Sequence, residues 1–226
     1  ALMFKAANYA SFYVPVETHL RDLRNAATEL ERRKLATPAD IEYTFNSLLG
    51  ARMFDQARQW RDAHRIPTTA LAASVMAVDA HESSVPTELV FAEGKPVQRK
   101  PFALPRGGFV LVASHPLCNF SKRAMDDIRA DPVLARLVAG RIKWIAPQDR
   151  NPGFELFTEW NIKHPDAQVS QAFRATEWPM VTSWGTPTFY FFQDGELKTT
   201  VTGWPHDGGN KEALLAALQL IGPATQ

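Results

Sequence analysis

The chain has a single cysteine, Cys118, and residue types that do chemistry surround it: His115 three positions before, Lys122 and Arg123 just after. A continuous apolar run from Phe109 to Ala113 reads as a fully buried strand, and Phe120, Ala124 and Ile128 then recur four apart, as on one face of a helix. Cys118 therefore falls at a strand-to-helix junction. The first N–H groups of a helix lack partners and its dipole presents partial positive charge, so a thiolate there is favoured and the thiol pKa lowered. A thiolate so placed attacks disulfides. His115 stands where it could hold that thiolate as an ion pair or relay a proton; the plainer reading is a partly exposed loop histidine. Cysteine is also among the most buried residue types, so simple packing is the plainer reading for Cys118.

Composition limits the classes of function. With 226 residues, 45% hydrophobic and 22% charged, the chain is of ordinary globular composition, with room for one large domain or two small ones. Its 25 basic and 24 acidic residues nearly cancel, leaving no field to attract nucleic acid or an anionic membrane, and neither is expected as a partner. One cysteine excludes an internal disulfide and any Cys-rich metal site. The histidines other than His115 (His19, His64, His81, His164 and His206) show no metal-ligand spacing, and His81-Glu82 lacks the second histidine of H-E-x-x-H because position 85 is valine. No metal or cofactor is expected. No window approaches the roughly 20 apolar residues of a membrane helix, so no integral membrane segment is expected in this chain. It begins at Ala1 rather than Met, which leaves a preceding signal or anchor open.

The elements that must position Cys118 are legible in outline. Leu20, Leu23, Ala27 and Leu30 mark an amphipathic helix over Glu17 to Leu35. Thr37-Pro38 caps and opens a second helix, and a third, carrying Ala57 and Trp60, ends near His64. The segment from Pro67 to Pro86 reads as a short helix (Leu71 to Val78) or a linker. Glu93-Gly94 marks a hairpin turn. Asp131-Pro132 caps a helical turn that Gly140 ends, and Ile142 to Ala146 is a second strand. Strand, helix, strand implies parallel pairing with a right-handed crossover. About forty residues then precede the next strand, long for a loop, with helical patterns at Phe154 to Trp160 and Gln168 to Trp178. Thr188 to Phe192, the Asp194-Gly195 turn and Leu197 to Thr202 form an antiparallel pair, and a helix from Asn210 or Lys211 to Ile221 closes the chain. Residues 1–84 are thus expected to form a helical region and 85–226 an α/β domain.

That order of features resembles the thioredoxin superfamily, in particular its TlpA/ResA-like extracytoplasmic branch. Four segments carry the resemblance: Glu93-Gly94-Lys95-Pro96-Val97, the strand ending at Cys118, Gly185-Thr186-Pro187-Thr188, and Phe191 to Leu197 with Gly203 beyond. It spans roughly Pro86 to Ile221. The resemblance implies an α/β, thioredoxin-like fold: a central mixed sheet flanked by helices, with a helical insertion before the cis-proline strand. The N-terminal helices precede it. It also implies a cis Thr186-Pro187 bond lying against the active-site cysteine. Matching the family's C-x-x-C places its attacking cysteine on Cys118 and its resolving cysteine on Ser121, giving C-x-x-S. The alternative register would set His115 in the first position and Cys118 as the buried resolving thiol.

What the resemblance implies for function follows from that departure. A thiolate without a second thiol forms a mixed disulfide that it cannot resolve itself. Monothiol reduction, isomerisation or lasting capture remain, with a thiol- or disulfide-containing protein or glutathione as partner, in the periplasm or an equivalent extracytoplasmic compartment. Strand Phe109 to Ala113 carries no acidic residue, consistent with there being no resolving thiol to deprotonate. Trp184, Gly185, Thr186 and Pro187 are the expected substrate-binding residues, since the family pairs its partner with the backbone preceding the cis-proline as an added strand. A peroxidatic reading fails at His115, which stands where a hydroxyl residue is required. The alternative function is a redox-inactive adaptor that uses the same groove and the N-terminal helices to hold another protein.

Overall fold

The computed structural model describes residues 2–149 and 153–222, which divide into two compact units: Ala1–Glu82 with Asp149–Phe154, and Ser83–Gln148 with Glu155–Gln226. The first is helical: α1 (Leu2–Tyr13), α2 (Glu17–Arg32), α3 (Pro38–Gly50), α4 (Phe54–His64) and α5 (Ala70–Met76). Helix α2 buries the anticipated stripe of Leu20, Leu23, Ala27 and Leu30. Thr37 caps α3 in a reciprocal capping box with Asp40. Trp60 ties α4 to α3 by donating from Nε1 to the Ile41 carbonyl (3.0 Å), and His64 Nε2 meets Glu31 Oε1 at 2.9 Å, tying α4 to α2. Helix α1 lay outside the sequence expectation, because its few polar residues, Lys5, Asn8 and Ser11, do not set off a clear apolar stripe.

The second unit is built on one seven-stranded mixed sheet. Its strands are β1 (Thr87–Val90), β2 (Gln98–Pro101), β3 (Gly108–Ala113), β4 (Ile142–Ala146), β5 (Val169–Ala172), β6 (Thr188–Gln193) and β7 (Glu196–Thr202), in the order β2-β1-β5-β4-β3-β6-β7. β3 and β4 are parallel, joined through α6 (Asn119–Ala130) and α7 (Pro132–Val138), whereas β6 and β7 pair antiparallel about Asp194-Gly195, both with positive φ. All six residues of β3 are buried, as a central strand covered on both faces requires. On one face Phe109, Leu111, Ala113, Ile145, Tyr190 and Phe192 pack with Trp178 and Val181. On the other, Phe189 meets both Trp144 and Trp204 at 5.9 Å between ring centroids. α9 (Lys211–Gln219) follows β7.

Gly108 opens β3 because nothing larger fits. A Cβ there would lie 2.0 Å from the Gly222 carbonyl oxygen, which Arg141 Nη1 holds at 2.6 Å. The C-terminal segment is thereby fastened to the base of β3.

The helical reading of Gln168 to Trp178 is corrected. Residues 169–172 are strand β5, inserted between β4 and β1, followed by a single 3-10 turn at Ala175–Glu177. All four strand residues are buried, so the polar–apolar alternation that marks a strand is absent from the sequence there, and only pairing with β4 and β1 decides it. The expected insertion is therefore half helix, α8 (Phe154–Lys163), and half sheet.

The Thr186-Pro187 bond is cis and sits at the start of β6, directly across the sheet from the end of β3. This is a thioredoxin-like fold. Among the described residues, no helix is long and apolar enough to cross a membrane.

Candidate functional site

The end of β3 and the start of α6 build the site. Ser114 N–H donates to the Ile145 carbonyl (2.8 Å), extending the ladder one residue past the strand, and the chain then turns: Cys118 N–H donates to the His115 carbonyl (2.9 Å) across Pro116-Leu117. Cys118 takes the N-cap position of α6, with extended φ and ψ (−80°, 114°), and its carbonyl accepts the first helical bond from Lys122 N–H (3.0 Å). The sulfur occupies the place where a capping oxygen would accept from the second and third helical N–H groups, here those of Phe120 and Ser121.

The protonated thiol donates to the Thr186 carbonyl at 3.2 Å. Residues 68 apart in sequence are thus brought together, Cys118 facing the residue that precedes the cis-proline. Partial burial pushes the Cys118 thiol up, but the donors open to a thiolate, the Thr186 side chain, the Ser121 N–H and hydroxyl and the Phe120 N–H, outweigh it, so the pKa lies below the ordinary thiol value. Ser121 is fully buried, and its Oγ has no partner while the sulfur is protonated. That hydroxyl is left to donate to the thiolate.

Reactivity should follow from this arrangement. Alkylation of Cys118 is expected to show a pH midpoint below that of the same thiol in the urea-unfolded chain, and Ser121→Ala to move it upward by removing one donor. The sign is that of a depressed acid: the contribution to stability is present above the unfolded pKa and lost as pH falls through the folded one. Coincident midpoints for folded and unfolded chains would contradict the geometry.

The other expected residues divide. Gly185 N–H donates to Ser183 Oγ (3.2 Å), its carbonyl accepts from Thr188 Oγ1 (2.7 Å), and the Pro187 carbonyl accepts from Gly203 N–H (2.8 Å). The loop is therefore braced on both sides of the cis bond. Trp184 is partly buried; its ring stands edge-on to Trp178 at 6.4 Å and packs against the core cluster. His115 turns its ring into the loop, where Nδ1 accepts from Leu117 N–H (3.1 Å) and the ring meets Phe157 edge-on at 5.7 Å.

Sequence reasoning missed the rim. Leu117 and Phe120 flank Cys118 and are 64% and 49% exposed. Arg123 lies over the Phe120 ring (5.6 Å), reaches the Trp204 carbonyl (3.4 Å) and meets His206 Nε2 (3.1 Å), joining the first turn of α6 to the segment beside Pro187. The only sequence signal was Lys122-Arg123 next to the cysteine. The sheet also buries two carboxylates, Glu88 against Lys143 (2.8 Å) and Glu177 against Arg99 (2.8 Å). Glu88 lies on β1, three strands from β3 and so about 14 Å away at ordinary strand spacing, too far to act on the thiol.

No protein-family model matches the chain, and no curated protein matches it. Two solved structures are similar at low identity. One is an uncharacterised thioredoxin-like protein from Porphyromonas gingivalis, 15% identical over 61% of this chain and 89% of that one, with a TM-score of 0.43. The other is a conserved protein of unknown function from Bacteroides fragilis, 16% identical over 62% of this chain and 99% of that one, with a TM-score of 0.39. Neither description assigns an activity.

Proposed function

We propose that the protein performs thiol–disulfide exchange through one nucleophile, Cys118, in a monothiol cycle. The observation that supports this most is the sulfur itself: a half-buried thiol at the N-cap of α6, against Thr186 and the cis-proline, with a lowered pKa and a serine where a second thiol would resolve its adducts.

The cycle balances in two steps. The Cys118 thiolate attacks one sulfur of a partner disulfide; a bond from Sγ to that sulfur forms, the partner S–S bond breaks, and the other sulfur leaves with the electron pair and takes a proton from solvent. An external thiolate then attacks the attached partner sulfur, restoring Cys118. Alternatively a free thiol of the same partner does so, forming a new disulfide within that partner and isomerising it without net reduction. Deprotonation of Cys118 removes the hydrogen bond to the Thr186 carbonyl and frees that acceptor for a partner's backbone N–H. The buried Ser121 hydroxyl cannot displace a disulfide, so the adduct persists until an outside thiol arrives. The partner is a thiol- or disulfide-bearing protein or glutathione, and the extracytoplasmic setting rests on the sequence resemblance.

The test is the rate of mixed-disulfide formation with a neutral disulfide at pH 7, followed by mass. The folded chain should react several-fold faster than the urea-unfolded chain and hold one adduct until a thiol is added. Equal rates would sink the exchange reading, and partner binding unaffected by Cys118→Ala would favour the adaptor.

A further inference from the structure

The rim beside Cys118 carries the apolar Leu117 and Phe120 and the cationic Lys122 and Arg123. Arg123 Nη1 and Nη2 reach only a carbonyl and an imidazole nitrogen, while Phe120 supports the guanidinium from beneath. Among the described residues neither Lys122 nor Arg123 takes part in an ion pair, unlike Arg129 with Asp126 and Lys198 with Glu196. The Asp127 carboxylate, one turn along α6 from Arg123, accepts from Trp204 Nε1 (2.7 Å), and Asp207 Oδ1 accepts from Gly209 N–H (3.0 Å).

A guanidinium has five donors in a planar fork that matches a carboxylate. Arg123 spends two of its nitrogens on one bond each, so N–H groups remain for a ligand. Its hold on Phe120, Trp204 and His206 also removes much of the side-chain freedom that an exposed arginine would lose on binding. We infer that the site selects disulfides carrying a carboxylate close to the attacked sulfur, with Arg123 as the residue that reads the charge and Phe120 and Leu117 receiving the apolar part. This rests on the exchange reading of Cys118 and adds a substrate class to it. The carboxylate belongs either to a small dicarboxylate disulfide or to an acidic residue beside a partner's cysteine.

Three small disulfides distinguish the outcomes: an anionic dicarboxylate, neutral hydroxyethyl disulfide and cationic cystamine. Each rate is divided by that of the urea-unfolded chain, which removes intrinsic leaving-group differences. The anion should be preferred over the cation by roughly fivefold or more at low salt, and the preference should collapse near 1 M salt, where screening reaches about 3 Å. Arg123→Gln should bring the anion-to-neutral ratio toward one, and Arg123→Lys should keep much of it. A second arm uses peptide disulfides with glutamate or lysine beside the cysteine; preference in this arm alone assigns an acidic protein segment, and preference in the first arm alone a small molecule. If the neutral disulfide reacts fast but neither arm shows a charge preference, or Arg123→Gln leaves the preference intact, this inference fails and the exchange reading stands. If none of them outpaces the unfolded chain, both fail.

Discussion

Replacing Ser121 by cysteine is expected to shorten the life of a Cys118 mixed disulfide by about 100-fold or more, because the second thiol acts intramolecularly at a high effective concentration. Position 121 lies one helical turn into α6, fully buried, with its side chain directed at the Cys118 sulfur. In Ser121→Cys the new thiolate attacks Cys118 Sγ, a 118–121 disulfide forms, and the partner leaves as a thiol. The protein is oxidised and the partner reduced. The measurement is the decay of a preformed adduct by mass, without added thiol. An adduct as durable as the wild type's, with the introduced thiol still open to alkylation, would show that position 121 is not the resolving position and would favour the register with His115 in the first place.

The second large effect concerns stability. Trp204 is buried, its ring against Phe189, and its Nε1 donates to Asp127 Oδ2 (2.7 Å), closing β7 onto α6. Trp204→Ala should destabilise the second unit by about 3–5 kcal/mol, the usual cost of removing a buried tryptophan and leaving a cavity. Trp204→Phe, which refills most of the volume but strands the Asp127 carboxylate, should cost about 1 kcal/mol through the lost hydrogen bond alone. Urea unfolding followed by circular dichroism reads both as a shift in midpoint at constant slope. An alanine variant as stable as the wild type would mean that this residue does not close the face of the sheet.

What could be read in advance and what could not follow one physical line. The strand into Cys118, the Asp131 cap of α7 and the Asp194-Gly195 turn were legible because each is decided by residues within one turn of one another. The Asp131 side chain, for instance, accepts from Val133 and Leu134 N–H, two and three positions on. Strand β5 was not legible, since a strand buried on both faces has no alternation to display and is strand only because β4 and β1 supply its hydrogen bonds. Helix α1 escaped for a related reason, as a mostly apolar helix with only Lys5, Asn8 and Ser11 polar shows little periodic contrast. Residue type and position alone placed His115 near the thiol; its contacts with Leu117 N–H and with Phe157, the latter from a helix some forty positions away in the chain, were not legible.

By itself the sequence determined that there is one thiol, that it starts a helix after a buried strand, and that no second thiol can answer it. Those are properties of composition and of local backbone geometry. Only the tertiary structure decided what surrounds that thiol: the Thr186 carbonyl that takes its proton's hydrogen bond, the buried Ser121 hydroxyl, and Arg123 braced by Trp204 and His206. Each of the contacts with Thr186, Trp204 and His206 joins residues more than sixty positions apart, and no local preference encodes a contact of that range. It exists because strand pairing sets Ala113 at the end of β3 opposite Thr188 at the start of β6, and Thr188 opposite Thr202 at the end of β7, so all three meet at one end of the sheet.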